Sequence, residues 1–394
     1  MKLTRQTASQ PRRDAWVEIN LDAIEQNTRK IKSLIGPDKK LMAILKADAY
    51  GHGAVMCLPT LEASGVSMVG VASVDEALQI RQAGIELPIL VIGMVPDWSM
   101  RMAAERDIQI TVFDRERLEV LKWIYQESGQ PVKVQVKVDT GMHRIGVDWR
   151  EAADFIRFCQ DAPYVSLQGV FSHLAATSDA DTTHLQLERW HTVLKQIEPD
   201  LPGDIHIANS AGTLHYPEAQ GNMVRVGMAF FGYDDLLAAK AQNNPLKPAM
   251  SVKARIIHLQ EVPEGDGISY GPSFRVSAGK PLRIATLPLG YADGVPRRLS
   301  NRISGLLRGH TIRQVGTITM DQMMFDVSDL PEDAPATIGE TITLIGSEFS
   351  DTTGAEQTQP RQIITLSDWA QKADTIEYEL MCQLRIRLPK TYTR

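Results

Sequence analysis

The amino-acid sequence predicts an α/β chain in which a (β/α)8 barrel is followed by a smaller, mostly β domain. Three observations carry this expectation. Eight short apolar runs recur over about the first 245 residues, with helix-like stretches between them, and near-continuous apolar runs mark strands buried on both faces of a parallel sheet. Eight βα units over ~200–250 residues fit a closed barrel, with an open doubly wound sheet as the alternative. Beyond that region apolar residues alternate with polar ones, the pattern of half-buried strands.

The eight runs are LMAIL (41–45), SMVGVA (67–72), PILVIG (88–93), IQITVF (108–113), VKVQVKV (132–138), SLQGVFS (166–172), DIHIA (204–208) and MVRVG (223–227). Helical stretches separate them, among them VDEALQIRQAG (74–84), DRERLEVLKWIYQES (114–128) and WREAADFIRFCQ (149–160). In the first of these Ala77, Leu78 and Arg81 share a face and Gly84 stops the helix. NNPLKPAM (243–250) reads as a connector. VKARIIHLQEV (252–262), LRIATLPLG (282–290), HTIRQVGTITM (310–320) and ETITLIG (340–346) then read as strands, and the polar DTTGAEQTQP (351–360) as a surface loop.

Composition narrows the function. The 394 residues carry 42 basic and 48 acidic side chains, a net charge of −6, which asks for neither nucleic acid nor an anionic membrane. No apolar stretch approaches the ~20 residues of a membrane-spanning helix. MKLTRQTASQPRRDAW lacks the apolar core of a signal peptide, although its Arg, Ser and Thr content leaves a transit peptide open. Cys57, Cys159 and Cys382 are far apart and odd in number. They predict buried thiols in a reducing compartment, with no zinc site and no disulfide framework.

Barrel enzymes place their chemistry just past the strand ends, with phosphate held after strands 7 and 8. After strand 1 stands Lys46, and desolvation of an ammonium yields a usable amine nucleophile or base; a salt bridge to Asp48 or a strand-5 carboxylate is the bland alternative. Strand 5 ends in Lys137, Asp139, Thr140, Gly141 and Arg144. Arg144 is placed to anchor a carboxylate or phenolate oxygen, or else to pair with Asp139. His173 follows strand 6. After strand 7, ANSAG (208–212) offers small residues and the Ser210 hydroxyl around a phosphate. Strand 8 buries Arg225, which needs a partner, and ends in Gly227-Met228. A phosphorylated aldehyde cofactor fits this set.

KADAYGHG (46–53), VDTGMHRIG (138–146), HIANSAG (206–212), VRVGMAFFG (224–232), SYGPSF (269–274), LPLGYADG (287–294) and TMDQMM (319–324) resemble the alanine racemases, in family order from Trp16 to about Pro389. The resemblance implies a pyridoxal 5′-phosphate barrel over 19–249. It implies a β domain formed by 1–18 and 250–394, with AWVEIN (15–20) packed into it. It also implies a cytoplasmic homodimer, each active site combining one subunit's barrel with the other's β domain and supplying D-alanine for peptidoglycan. Lys46 takes the position of the cofactor lysine, and Tyr270 that of the second catalytic base, acting in trans. Tyr50, Ser210, Gly227, Met228 and Tyr378 match phosphate-binding positions; His173 and Asn209 join the cofactor-binding set. Arg225 matches the residue facing the pyridine nitrogen, Arg144 that at the cofactor hydroxyl and substrate carboxylate, and Met320, through its N–H, the second carboxylate contact. Tyr291 and Asp321 match the entry to the site, and Lys137 a position often carbamylated.

Racemisation removes the Cα proton from one face and returns one to the other, so two opposed bases are wanted. A tyrosine titrates near pH ~10 and needs a cationic neighbourhood to act near neutrality; His173, linked to Arg225 in the family, is the expected source. A carbamate on Lys137 would pair with Arg144. Three departures concern the substrate channel: Thr317 replaces a common arginine, Thr319 a small Ser or Cys, and Asp179 comes one residue late. They bear on specificity rather than reaction class. A cofactor-carrier protein is the competing class, against which SYGPSF in a long β region speaks. A racemase of serine or lysine, or a related decarboxylase, would also use such a barrel.

Overall fold

The computed structural model describes residues 13–200, 203–234, 246–279, 281–348, 362–384 and 387–394. The expected loop at 351–360, the first residues of the connector at 243–250 and the N-terminal dozen lie outside this set. The chain divides into two compact units: a barrel unit of 23–49 and 53–247, and a β unit of 1–22, 50–52 and 248–394.

The barrel unit contains eight parallel strands: Lys40–Ile44, Met68–Val71, Ile89–Val91, Ile108–Val112, Val132–Asp139, Val165–Phe171, Asp204–His206 and Met223–Val226. Each pairs with its sequence neighbour from the first through the seventh, and the eighth pairs with the first. Between the seventh and eighth, the Arg225 N–H donates to Ala208 O at 3.2 Å, so the barrel is nearly closed. The fifth strand is followed by a short extra strand, Val147–Asp148, that pairs beside Val138 and Asp139 and that the hydrophobic pattern does not announce. Gly146 makes this possible: at φ 139° its added Cβ would lie 2.7 Å from the Asp139 nitrogen.

Side chains placed by the sequence start the helices between strands. Ser73 accepts from Glu76 N–H, Asp114 from Arg117 N–H, and Asn209 from Gly212 N–H, satisfying first-turn donors that lack intrahelical acceptors. Asp179 does the same for the helix Ala180–Ile197, accepting from the Asp181 and Thr182 N–H groups and the Thr182 hydroxyl.

The β unit is built on a ten-stranded sheet. Ala15–Asn20 lies inside it, antiparallel to Met250–Arg255 and parallel to Lys390–Thr393. The hairpin of His258–Val262 and Leu282–Leu287 continues through Met323–Asp326 to His310–Val315. The run expected to reach residue 320 stops as a strand at Val315, and the residues after it form loop. Ile268, Val276, Ile284, Val315 and Met324 pack as a local core, with Phe274 and Leu282 against it. Among the described residues no helix is long and apolar enough to cross a membrane.

Candidate active site

Lys46 stands at the end of the first barrel strand, half-buried. The chain beyond it turns left-handed: Ala47, Asp48 and Ala49 have φ of 53–56° and ψ of 46–50°, and Tyr50 has φ 52°. For non-glycine residues this conformation costs roughly 1–2 kcal/mol each, so it persists only where the surroundings determine it. The Glu76 carboxylate accepts from Ala47 N–H at 2.7 Å and from Ala72 N–H at 2.8 Å. Asp48 accepts from Ala54 N–H at 2.8 Å and, through its carbonyl, from Gly53 N–H at 2.9 Å. Asp48 thus braces the turn. In the sequence Glu76 is visible only as the fourth residue of a capping motif, SVDE.

Lys137 is 4% exposed at the end of the fifth strand. Burial, then the charges of Arg144 and Arg225, push its ammonium down to about 7, and Lys46 adds to this. Asp139 is the only anion in this group that opposes the shift. The bland pairing of Asp139 with Arg144 is not what the structure contains. One oxygen of Asp139 instead accepts from the N–H groups of Gly141, Met142 and His143 at 2.9, 3.0 and 3.1 Å, while the His143 ring lies 3.2 Å from the other oxygen. Burial alone would raise this carboxyl, but these contacts hold it below the usual range. Arg144 is exposed and forms no ion pair among the described residues. The loop is braced from the helix Ala180–Ile197, where Gln186 donates to the Thr140 hydroxyl and His173 O, and Arg189 to Thr140 O.

A lysine lowered in the folded state binds fewer protons than in the unfolded chain between pH 7 and its ordinary value. Stability therefore rises with pH through that window, and the full cost is felt below pH 7. Lys137→Met should stabilise the protein most at pH 6, by a few kcal/mol, since each tenfold change in proton affinity is worth about 1.4 kcal/mol. The advantage should shrink toward pH 10. Thermal melts in bicarbonate-free buffer check this; a gain that is constant with pH would reject it.

Arg225 is 3% exposed and has no carboxylate partner among the described residues. One terminal nitrogen donates to His206 Nδ1 at 2.7 Å and His206 O at 3.1 Å; the other donates to Ser172 O, His173 Nδ1 and Ile207 O at 2.7–3.1 Å. Its Nε–H is taken up by none of these. Burial pushes the guanidinium down to about 9, which leaves it a cation at neutrality. His173 and His206 both sit well below the usual histidine range, through burial first and the neighbouring Arg225 second. This corrects the charge expected of His173. A guanidinium only donates, so Nδ1 of His173 is the acceptor, and a neutral His173 offers an Nε2–H rather than a positive charge. His206 lies within HIANSAG (206–212), yet nothing in the sequence announces its role.

Ser210 opens the short helix Ser210–His215, capped by Asn209, and its hydroxyl accepts from Gly227 N–H at 3.0 Å. The 3₁₀ turn Met228–Phe231 begins at that point, leaving its first N–H groups without intrahelical acceptors. Asn209, Ser210, Gly227 and Met228 are thus brought together as expected for strands 7 and 8.

In the β unit, Tyr270 tops a loop closed by Ile268 N–H to Phe274 O and the Gly267–Arg275 bridge, and is 74% exposed. Thr317 braces this loop, its hydroxyl donating to Tyr270 O at 2.8 Å, while its carbonyl accepts from the Ser269 hydroxyl at 2.7 Å. The residue that departs from the family's arginine therefore supports the candidate base. Thr319 accepts from Gln322 N–H through its hydroxyl and closes the next turn. Tyr291 and Ala292 donate to the carbonyls of Thr319 and Met320, and Gly290 is required there because an added Cβ would meet those oxygens at 2.3–2.5 Å. The Met320 N–H is used by no hydrogen bond among the described residues. Asp321 pairs with Arg387, which also reaches buried Asp293. Tyr378 stands edge-on to buried Tyr50, with ring centroids 5.8 Å apart.

Residues 19–235 match the model of the alanine racemase N-terminal domain, and 249–392 that of the C-terminal domain. The chain belongs to the alanine racemase family. It is 38% identical to an alanine racemase of Nostoc sp., covering 95% of both chains, and 35% identical to that of Methanococcus maripaludis, covering 96% and 98%. Among solved structures it is similar to alanine racemase from E. faecalis, with TM-score 0.86, 32% identity and coverage of 97% and 98%. It is likewise similar to the Bacillus anthracis enzyme with bound L-Ala-P, with TM-score 0.85, 33% identity and coverage of 97% and 95%.

Proposed function

We propose that this racemase interconverts L- and D-alanine with pyridoxal 5′-phosphate, as a cytoplasmic homodimer with shared sites, and so supplies D-alanine for peptidoglycan. One observation carries the reading: the charges of Arg144, Arg225 and Lys46 all bear on the buried Lys137 ammonium, and Asp139 is the carboxylate that offsets them there. Such an excess of partly buried positive charge suits a dianionic phosphate and a substrate carboxylate.

The residues fit the cofactor. Arg225 retains an Nε–H for a ring nitrogen, and the first N–H groups of the Met228 turn, with Gly227, Asn209 and Ser210, suit phosphate oxygens. Tyr50 and Tyr378 would complete the phosphate contacts, Lys46 would hold the cofactor covalently, and Arg144 would meet its hydroxyl. When bound, the cofactor supplies an electron sink that acidifies the alanine Cα–H. Arg144 and the Met320 N–H orient the substrate carboxylate. Lys46 and the partner subunit's Tyr270 take and return the proton from opposite faces, while neutral His173 steadies the tyrosine oxygen by donating its Nε2–H. Tyr291 and Asp321 line the entry. With its ammonium lowered to about 7, Lys137 offers a free amine to carbon dioxide, and the resulting carbamate would neutralise Arg144.

Arg225 cannot readily give up a proton, which limits how long negative charge persists beside Cα. Arg225→Glu should raise transamination relative to racemisation by about tenfold or more, measured as pyruvate formed per turnover; an unchanged ratio counts against the assignment. The reading as a whole is tested by borohydride reduction and peptide mapping. A pyridoxyl group on Lys46 is expected, and a protein without any adduct would sink it.

A further inference from the structure

Resting on that reading for its catalytic meaning, we infer that Gln135 and Gln109 are positioning residues, the far end of a hydrogen-bond chain that anchors the Nε2–H of His206 and thereby the orientation of Arg225. The chain crosses the barrel interior from the eighth strand to the fourth. Arg225 donates to His206 Nδ1 at 2.7 Å, His206 Nε2 lies 2.7 Å from Gln135 Oε1, and Gln135 Nε2 donates to Gln109 Oε1 at 2.8 Å. His206 and Gln135 are completely buried, Gln109 nearly so.

Only one direction of donation satisfies every contact. Arginine has no acceptor, so Nδ1 must be bare. A neutral ring then carries its proton on Nε2, which must donate to Gln135 Oε1, and the amide's own N–H passes on to Gln109. The opposite tautomer would set two N–H groups against each other at 2.7 Å and leave Oε1 facing a bare nitrogen. Leaving a buried polar atom unsatisfied costs roughly 1–3 kcal/mol, enough to hold one tautomer almost exclusively. Packing alone would be met by leucine or methionine in these strands. The glutamines instead supply an oxygen aimed at His206 and a brace that stops the amide from flipping. The His206 ring also stacks on Phe171 at 5.1 Å between centroids, which fixes its plane. Arg225 is then held by an acceptor that cannot rotate away, and its remaining Nε–H keeps a single direction.

The test uses the holoenzyme labelled with ¹⁵N-histidine, the His206 ring signals being assigned through His206→Asn. Wild type should show a neutral ring protonated on Nε2 from pH 6 to 9. Gln135→Met should shift the Nε2 signal, whose proton loses its acceptor, and lower kcat about tenfold, with KM for alanine changing less than about twofold. Gln135→Glu keeps the acceptor and should restore the Nε2–H signature, with kcat within about threefold of wild type. Wild-type signals and kcat in Gln135→Met, or equal damage from the glutamate, would overturn the inference. If Gln135→Met does not fold, Gln109→Leu decides: the same signal should shift partway, and an unchanged signal rejects the chain. Loss of the racemase reading would show separately, as absent activity in a wild type whose His206 signals are as expected.

Discussion

Tyr270→Ala is expected to lower racemisation by about 10³-fold while sparing one half of the proton chemistry, within the range removal of a general acid–base produces. The equilibrium between mirror images is symmetric, so kcat/KM must fall equally in both directions. The asymmetry appears instead in exchange of the Cα hydrogen with deuterated water. One enantiomer should still exchange through Lys46, and the other should not. Tyr270 is suited to such a role by its setting: 74% exposed, at the tip of a loop pinned by Thr317 and Ser269 rather than packed into its own core. Proton exchange lost equally from both enantiomers would reject two opposed bases.

Lys46→Ala should abolish activity in both directions, and mixing it with Tyr270→Ala should bring activity back. Where a site takes its lysine from one subunit and its tyrosine from the other, a mixed dimer has one intact site and one doubly damaged site. Random reassortment of equal amounts then yields about a quarter of wild-type activity, a consequence of two-fold symmetry. Sites built within one subunit would remain dead in every combination. Activity titrated against mixing ratio after reversible dissociation measures this directly.

Much of the fold is legible because buried parallel strands are short and apolar on both faces. The Val- and Ile-rich runs mark the buried strands, and that rule points to the residues just past their ends, Lys46, Arg144, His173 and Ser210, while the roles given to them come from the family resemblance. What cannot be read depends on partners distant in sequence. Gly51 and Gly53 suggest the turn after Lys46, yet positive φ begins at Ala47, stabilised in part by Glu76 from the next βα unit. No local propensity announces a left-handed run through Ala47, Asp48, Ala49 and Tyr50. A histidine expected beside a tyrosine invites a positive charge on His173; burial next to Arg225 removes it. Gln135 and Gln109 stand in plain view as polar interruptions of apolar strands, but their meaning appears only when the barrel brings the fourth, fifth, seventh and eighth strands around one interior.

The strand Ala15–Asn20 carries a consequence for biogenesis. Its two neighbours in the sheet are Met250–Arg255 and Lys390–Thr393. A ribosome adding roughly 5–20 residues per second reaches Lys390–Thr393 about 370 residues after it has made this strand. For on the order of half a minute, AWVEIN has no native neighbour on that side, a bare edge open to strand pairing between nascent chains. The barrel can close around its own strands long before, whereas the β unit must wait for Lys390–Thr393. Deleting Lys390–Thr393 should therefore cost yield in the cell, with aggregation rather than a lowered melting point as the first symptom.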